Sequence, residues 1–204
     1  MTFIINTDIP GWTSEHKLNM LARHAKDVPF YGWIVEIGAY VGRSTYALGM
    51  NKHPNTLLTS IDPWPSEQFE KRPIRKDAIG KYSENDCYSI EAWLNNTQEI
   101  PNKEYLRMWS PIPRSSSMSF KKLANLVFID GGHTYEETFQ NLEDWVCYRT
   151  DFRANVIVDD YSDPAWPDVT RAVDDFMSKQ RFISSHRLTL YSNHHEHYAV
   201  INKV

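Results

Sequence analysis

The stretch LVFIDGGHTYEETF, residues 126–139, begins as an apolar run and turns polar at Asp130, with His133 three positions further on. A second apolar run, ANVIVDDY, ends in Asp159 and Asp160. Carboxylates placed where apolar strands stop offer hard oxygen ligands, which suit a divalent cation such as magnesium and leave positions for water and substrate. A cation on a hydroxyl oxygen lowers its pKa, and a neutral imidazole nearby is a competent base at neutral pH. Asp130, Asp159 and Asp160 are therefore candidate metal ligands, and His133 is the candidate catalytic base. Blander readings stay open beside these: a solvated or capping histidine, and a strand-end turn with Asp160 merely exposed.

A third chemical segment is VEIGAYVGRST, residues 35–45, with Gly38 where a strand turns and Gly42 where a helix begins. Glycines there let the backbone approach a ligand at a positive helix end. The dinucleotide pattern G-x-G-x-x-G fails, because position 40 is Tyr and position 43 is Arg. The phosphate-binding G-x-x-x-x-G-K-[ST] loop also fails, since the glycines are one residue too close and no Lys follows Gly42. Glu36, just before this turn, and Asp62, ending the next apolar run, suit a ligand with hydroxyls and a cationic end. A carboxylate at that second position accepts from a ribose diol in other nucleoside-binding sheets.

These residues need elements to position them. Leu18, Leu21, Ala22 and Ala25 lie at helical spacing behind Thr13 and Ser14, which predicts an amphipathic helix over about 13–28. Strands are expected at WIVEIGAY, TLLTSIDPW, YLRMWS, LVFID and ANVIVDDY, with helices at GRSTYALGMNK, ENDCYSIEAWLNNTQ, SMSFKKLA, YEETFQNLEDWVCYR and PDVTRAVDDFMSKQ. Thr134 and Glu137 form the Thr-x-x-Glu pattern of a helix start, which puts His133 just ahead of a helix. RLTLYS and HYAVINKV close the chain as a strand pair around NHHEH, a polar loop rather than a metal site. Alternating strands and helices imply a doubly wound, mostly parallel α/β sheet, with the terminal pair as an antiparallel hairpin at one edge. In such sheets ligands bind beyond the carboxyl ends of the strands, where the singled-out acids and glycines all fall.

Glu-x-Gly-x-x-x-Gly at the first strand, an acid ending the second and an acid ending the fourth resemble a class I S-adenosylmethionine-dependent methyltransferase, from about Gly32 to the end of the chain. The resemblance implies a Rossmann-like, seven-stranded fold in a single domain over 1–204. It also implies that Glu36, Gly38, Ala39, Tyr40, Gly42 and Ser44 hold the methionine end of the cofactor, and that Asp62 binds its ribose. Trp64 either covers the adenine or packs the core; Ser110 follows the third strand near the adenine, and Asp130 borders the same cofactor. FIDGGHTYEE and VIVDDY resemble more narrowly the metal-dependent sugar O-methyltransferases of the macrocin type. In that group the matching acids, here Asp130, Asp159 and Asp160, bind magnesium, and the matching histidine, here His133, is the base. The expected activity is methylation of a hydroxyl on a sugar or other small polyol, with S-adenosylmethionine and a divalent metal. A metal-dependent hydrolase and a non-catalytic S-adenosylmethionine-binding module are the alternatives.

Tyr161 and Trp166 follow the acidic pair and are expected to wall the acceptor pocket. EQFEKRPIRKDAIGKY carries Lys71, Arg72, Arg75, Lys76 and Lys81 and reads as a solvated loop or as a substrate lid over about 65–83 for an anionic acceptor. The remaining totals exclude rather than assign. A net charge of -4 gives no general attraction to nucleic acid or anionic membrane. Cys87 and Cys147 lack a C-x-x-C spacing and fit a reducing compartment. The start MTFIINTDIPGW has no basic region ahead of an apolar run, and no run of about 18 apolar residues occurs. A soluble, cytoplasmic protein is expected, able to form a homo-oligomer and acting on a small hydroxylated molecule.

Overall fold

The computed structural model describes residues 2–64, 88–112, 122–180, 188–193 and 195–203. The chain order is α1 (Glu15–Asp27), β1 (Trp33–Ile37), α2 (Arg43–Asn51), β2 (Leu57–Asp62), α3 (Ile90–Asn96), β3 (Lys103–Arg107), β4 (Ala124–Ile129), α4 (Tyr135–Leu142), a π-helical segment (Glu143–Arg149), β5 (Thr150–Asp159), α5 (Pro167–Gln180), β6 (Leu188–Asn193) and β7 (Tyr198–Lys203). The expected seven-stranded sheet is present, in the order β3-β2-β1-β4-β5-β7-β6. β1 through β5 run parallel, and β7 pairs antiparallel with both β5 and β6.

β1 is buried along its whole length, as a central parallel strand must be with helices on both faces. Its side chains alternate between two cores. Trp33, Val35 and Ile37 join Val127, Ile129, Val156 and Val158 under Trp145, Val173 and Phe176. Ile34 joins Leu58, Phe128 and Ile157 under Met20, Leu21 and Leu48. Each fully buried side chain of this size contributes roughly 1.5–3 kcal/mol, so the two-residue alternation sets the register strongly.

The chain steps outward from β1 to β2 and β3, then returns past β1 to β4. The strand order therefore reverses between β1 and β4, the kind of point beyond whose carboxyl ends such sheets bind ligands. Ile37 ends β1, Asp62 ends β2, Ile129 ends β4 immediately before Asp130, and Asp159 ends β5.

Local boundaries differ from expectation in places. β3 begins at Lys103 rather than Tyr105, because Lys103 and Glu104 pair with Leu58 and Thr59 of β2. α4 gives way to π-helical turns from Glu143, and β5 extends back to Thr150, with a register shift opposite Ala124–Leu126. Most of the expected SMSFKKLA helix, the 65–83 lid and Cys87 lie outside the described residues. Among the described residues, no helix is long and apolar enough to cross a membrane.

Candidate active site

The turn after β1 is built around Gly38, whose φ is 89°. Its N–H donates to the Ile61 carbonyl at 2.9 Å, while Asp130 N–H donates to the Ile37 carbonyl at 2.8 Å. The ends of β1, β2 and β4 are thereby stitched together at the point of strand reversal. Tyr40 and Gly42 also take positive φ, 49° and 99°, which curls the backbone up to the first turn of α2.

Glu36 supports this turn from beneath. It is fully buried and accepts hydrogen bonds from Ser44 Oγ at 2.6 Å, Thr45 Oγ1 at 2.6 Å and Ser60 Oγ at 2.7 Å. Burial raises its pKa, against the three hydroxyls that favour the charged form. Its carboxylate and the Ser44 hydroxyl are thus already joined to one another.

Asp62 is 5% exposed and faces the turn from β2. Its Oδ2 accepts from Tyr40 N–H at 2.9 Å and its Oδ1 from Trp64 N–H at 3.0 Å. Tyr88 Oη donates to the same Oδ1, and the Tyr88 ring stacks on Tyr40 at 5.2 Å and 19°. Burial raises the Asp62 pKa. Trp64 has no exposed surface: its Nε1 donates to the Tyr40 carbonyl at 2.6 Å and its ring packs on Trp93 and Tyr105. The Trp64 indole thus packs with Trp93 and ties the underside of the turn to Tyr40.

Beside this turn, Asp130, His133 and Asp160 gather so that one ligand atom from each lies within 4.8 Å of the others. His133 Nε2 is 2.8 Å from Asp160 Oδ2, and the imidazole lies flat on Trp166 at 4.2 Å and 21°. Thr134 caps α4 by accepting from Glu137 N–H, which fixes His133 just before the helix. Asp160 has φ 60°, a left-handed conformation that costs a non-glycine residue of order 1 kcal/mol or more and is typical of functional turns. Burial, together with Asp159 and Asp160, pushes the Asp130 carboxyl well above the ordinary range.

Asp159, the third acid expected to bind metal, has a different partner. Its Oδ1 lies 2.5 Å from Lys17 Nζ, on α1, and it is absent from the gathered cluster. Burial pushes its carboxyl up to about 6, against the pull of Lys17 and reinforced by Asp160. Burial opposes the Lys17 charge too, but Asp159, with Asp130 and Asp160 behind it, more than offsets this and raises the Lys17 pKa. Lys17 was not singled out in the sequence, where it is one more polar residue on an amphipathic helix.

Tyr161, expected as an acceptor wall, is instead 8% exposed, and its hydroxyl donates to Asp174 on α5 at 3.0 Å. Burial and this acid push its pKa up to about 12. Trp166, expected beside it, stacks on His133. Ser110 donates to Asn141 Oδ1 on α4, leaving the Asn141 amide nitrogen buried without a partner among the described residues. Asp130 and Asp160 offer the oxygen donors that a hard divalent cation takes, with His133 beside them and the Gly38 turn and Asp62 nearby.

A family model described as a methyltransferase domain matches residues 35–161. No protein with a curated description matches the sequence. The solved O-methyltransferase NovP aligns with a TM-score of 0.64 at 18% identity, over 92% of this chain and 79% of that one. The O-methyltransferase TomG of Streptomyces achromogenes, involved in tomaymycin synthesis and solved with SAM, gives 0.61 at 15% identity, over 97% and 83%. CalS11, a TDP-rhamnose 3'-O-methyltransferase of calicheamicin biosynthesis, gives 0.58 at 18% identity, over 93% and 81%. Identities this low speak to the shared fold.

Proposed function

We propose, on the premise that this chain belongs to the methyltransferase-domain family, that it moves the methyl group of S-adenosylmethionine to a hydroxyl of a sugar or other small polyol. The observation that carries this reading is the pairing of His133 with Asp160 beside Asp130, across the strand reversal from the Gly38 turn and Asp62. A methyl donor held on the glycine turn would present its sulfonium side to the acids. The named activities of NovP, TomG and CalS11 support oxygen as the acceptor atom, and that of CalS11 supports a sugar.

In this reading the peptide groups around Gly38–Gly42 surround the methionine end, and Asp62 exchanges the Tyr88 hydroxyl for the ribose diol. His133 Nε2–H donates a hydrogen bond to Asp160 Oδ2, so the other ring nitrogen is left as the base. S-adenosylmethionine, when bound, would supply the methyl group to the acceptor oxygen and leave as S-adenosylhomocysteine, and His133 would take the hydroxyl proton. Trp166, flat against that ring, restricts its rotation. A divalent cation at Asp130 and Asp160 would lower the pKa of an acceptor hydroxyl.

The test is calorimetric titration with S-adenosylmethionine and S-adenosylhomocysteine, followed by transfer of a labelled methyl group to sugars and diols with magnesium or with chelator. Micromolar donor binding and magnesium-stimulated O-methylation are expected. Folded protein that binds neither donor nor product would overturn the reading, and tight binding without transfer to any hydroxyl would favour a non-catalytic module.

A further inference from the structure

Lys17 is not a mobile surface lysine. It sits in the first turns of α1, three residues after the cap Ser14, whose side chain accepts from the Lys17 N–H. The helix is pinned at both ends of this stretch. Ser14 Oγ donates to Glu196 Oε2 at 2.6 Å, between β6 and β7, and Leu18, Leu21, Ala22 and Ala25 are completely buried. Upstream, the Gly11 carbonyl accepts from Arg43 at 2.6 Å and Trp12 lies against Tyr40. From this fixed base the Lys17 side chain, 12% exposed, runs to an Asp159 side chain that is 6% exposed. An ammonium so enclosed is stable only against a charged partner.

Asp159 and Asp160 are adjacent in sequence but answer to different partners. Asp159 closes β5 in register with Tyr198 of β7, and its carboxylate goes to Lys17. The left-handed turn at Asp160 sends the next carboxylate the other way, to His133. Lys17 sets its ammonium against Asp159. Asp130 and Asp160 are then the carboxylates left facing one another beside His133, and hard divalent cations take such oxygen donors. Magnesium in particular binds through one or two carboxylates while keeping waters and taking substrate oxygens.

We infer that Lys17 holds Asp159 out of the cation site, so that Asp130 and Asp160 are its two carboxylate ligands and the remaining positions are left to water and acceptor. The inference rests on the cation site of the proposed function and goes beyond it, since all three acids were expected to ligate. Lys17 is thereby a positioning residue that sets the ligand number, net charge and affinity of that site.

Manganese serves as the probe, titrated by calorimetry into the unaltered protein and into Lys17→Met, Lys17→Met/Asp159→Asn and Asp160→Asn, with thermal unfolding followed for each. Lys17→Met frees Asp159 and adds net negative charge, so manganese affinity is expected to rise by about tenfold or more. The double variant removes the pair without changing net charge and is expected to stay within about threefold of the unaltered protein. Asp160→Asn should weaken binding by roughly tenfold or more. A double variant as weak as Asp160→Asn would make Asp159 a ligand and overturn the inference; so would Lys17→Met with unchanged affinity. The double variant keeps the test intact if Lys17→Met does not fold. Manganese binding to Lys17→Met alone would remove the cation site from the working enzyme yet uphold the role of Lys17, whereas no binding to any of the four proteins overturns both.

Discussion

Gly38 and Asp130 meet backbone to backbone where β1 and β4 diverge: a Cβ built on Gly38 would lie 2.0 Å from the Asp130 carbonyl oxygen. The donor-side turn and the first acid of the opposite cluster are thus one packed unit. No flexible side chain stands between them to yield.

Gly38→Ala is expected to cost about 3 kcal/mol or more, combining the φ of 89° with a clash against backbone. Denaturant unfolding measures this, and S-adenosylmethionine titration should show weakened binding in whatever fraction folds. An alanine variant as stable as the unaltered protein would mean that the turn relaxes freely.

Tyr88→Phe removes the hydroxyl that occupies Asp62. If Asp62 takes the ribose diol, the donor then displaces one hydrogen bond fewer, and its affinity should rise by roughly 3- to 10-fold, the equivalent of about 0.5–1.5 kcal/mol. A fall in affinity would instead make the Tyr88 hydroxyl part of the donor site.

Asp130→Asn addresses the crowding of carboxylates. The Asp130 pKa is raised in the folded state by burial and by Asp159 and Asp160. Its contribution to stability is therefore complete below the ordinary carboxylate range and is lost as pH rises through the raised value. Asparagine imitates the neutral acid, so the variant should be more stable than the unaltered protein at pH 8 and no more stable than it at pH 4. Denaturant unfolding at both pH values without added divalent ions checks the sign, and a gain at pH 4 equal to that at pH 8 would refute the electrostatic cause.

His133→Ala should leave donor affinity unchanged while lowering turnover by ~100-fold or more, as loss of a general base does. Single-turnover methyl transfer separates the two quantities. Undiminished turnover would remove His133 from the chemistry.

The expectations that match the structure rest on local rules. The apolar runs WIVEI and LVFI follow from burial of parallel strands on both faces, and the caps at Ser14 and Thr134 follow from unpaired N–H groups at a helix start. Glycines before α2 and acids ending β2 and β5 show where strands stop, so the end of the sheet at which these residues gather was legible before any coordinates. Trp64 shows the limit of such rules. An indole after a strand suits a ligand face or a core equally, and the positions of Trp93 and Tyr105 put it in the core.

By itself, then, the sequence determined the α/β alternation, the glycine turn and which acids and histidine stand at strand ends, because period, capping and turn chemistry act over a few residues. Tertiary structure alone decided how those acids divide. Asp159 finds Lys17 from 142 positions away, and Asp160 finds His133 across the gap from β5 to β4, through a left-handed turn. Charge pairing depends on distance in space, and only the packing of α1 and the register of the sheet set those distances.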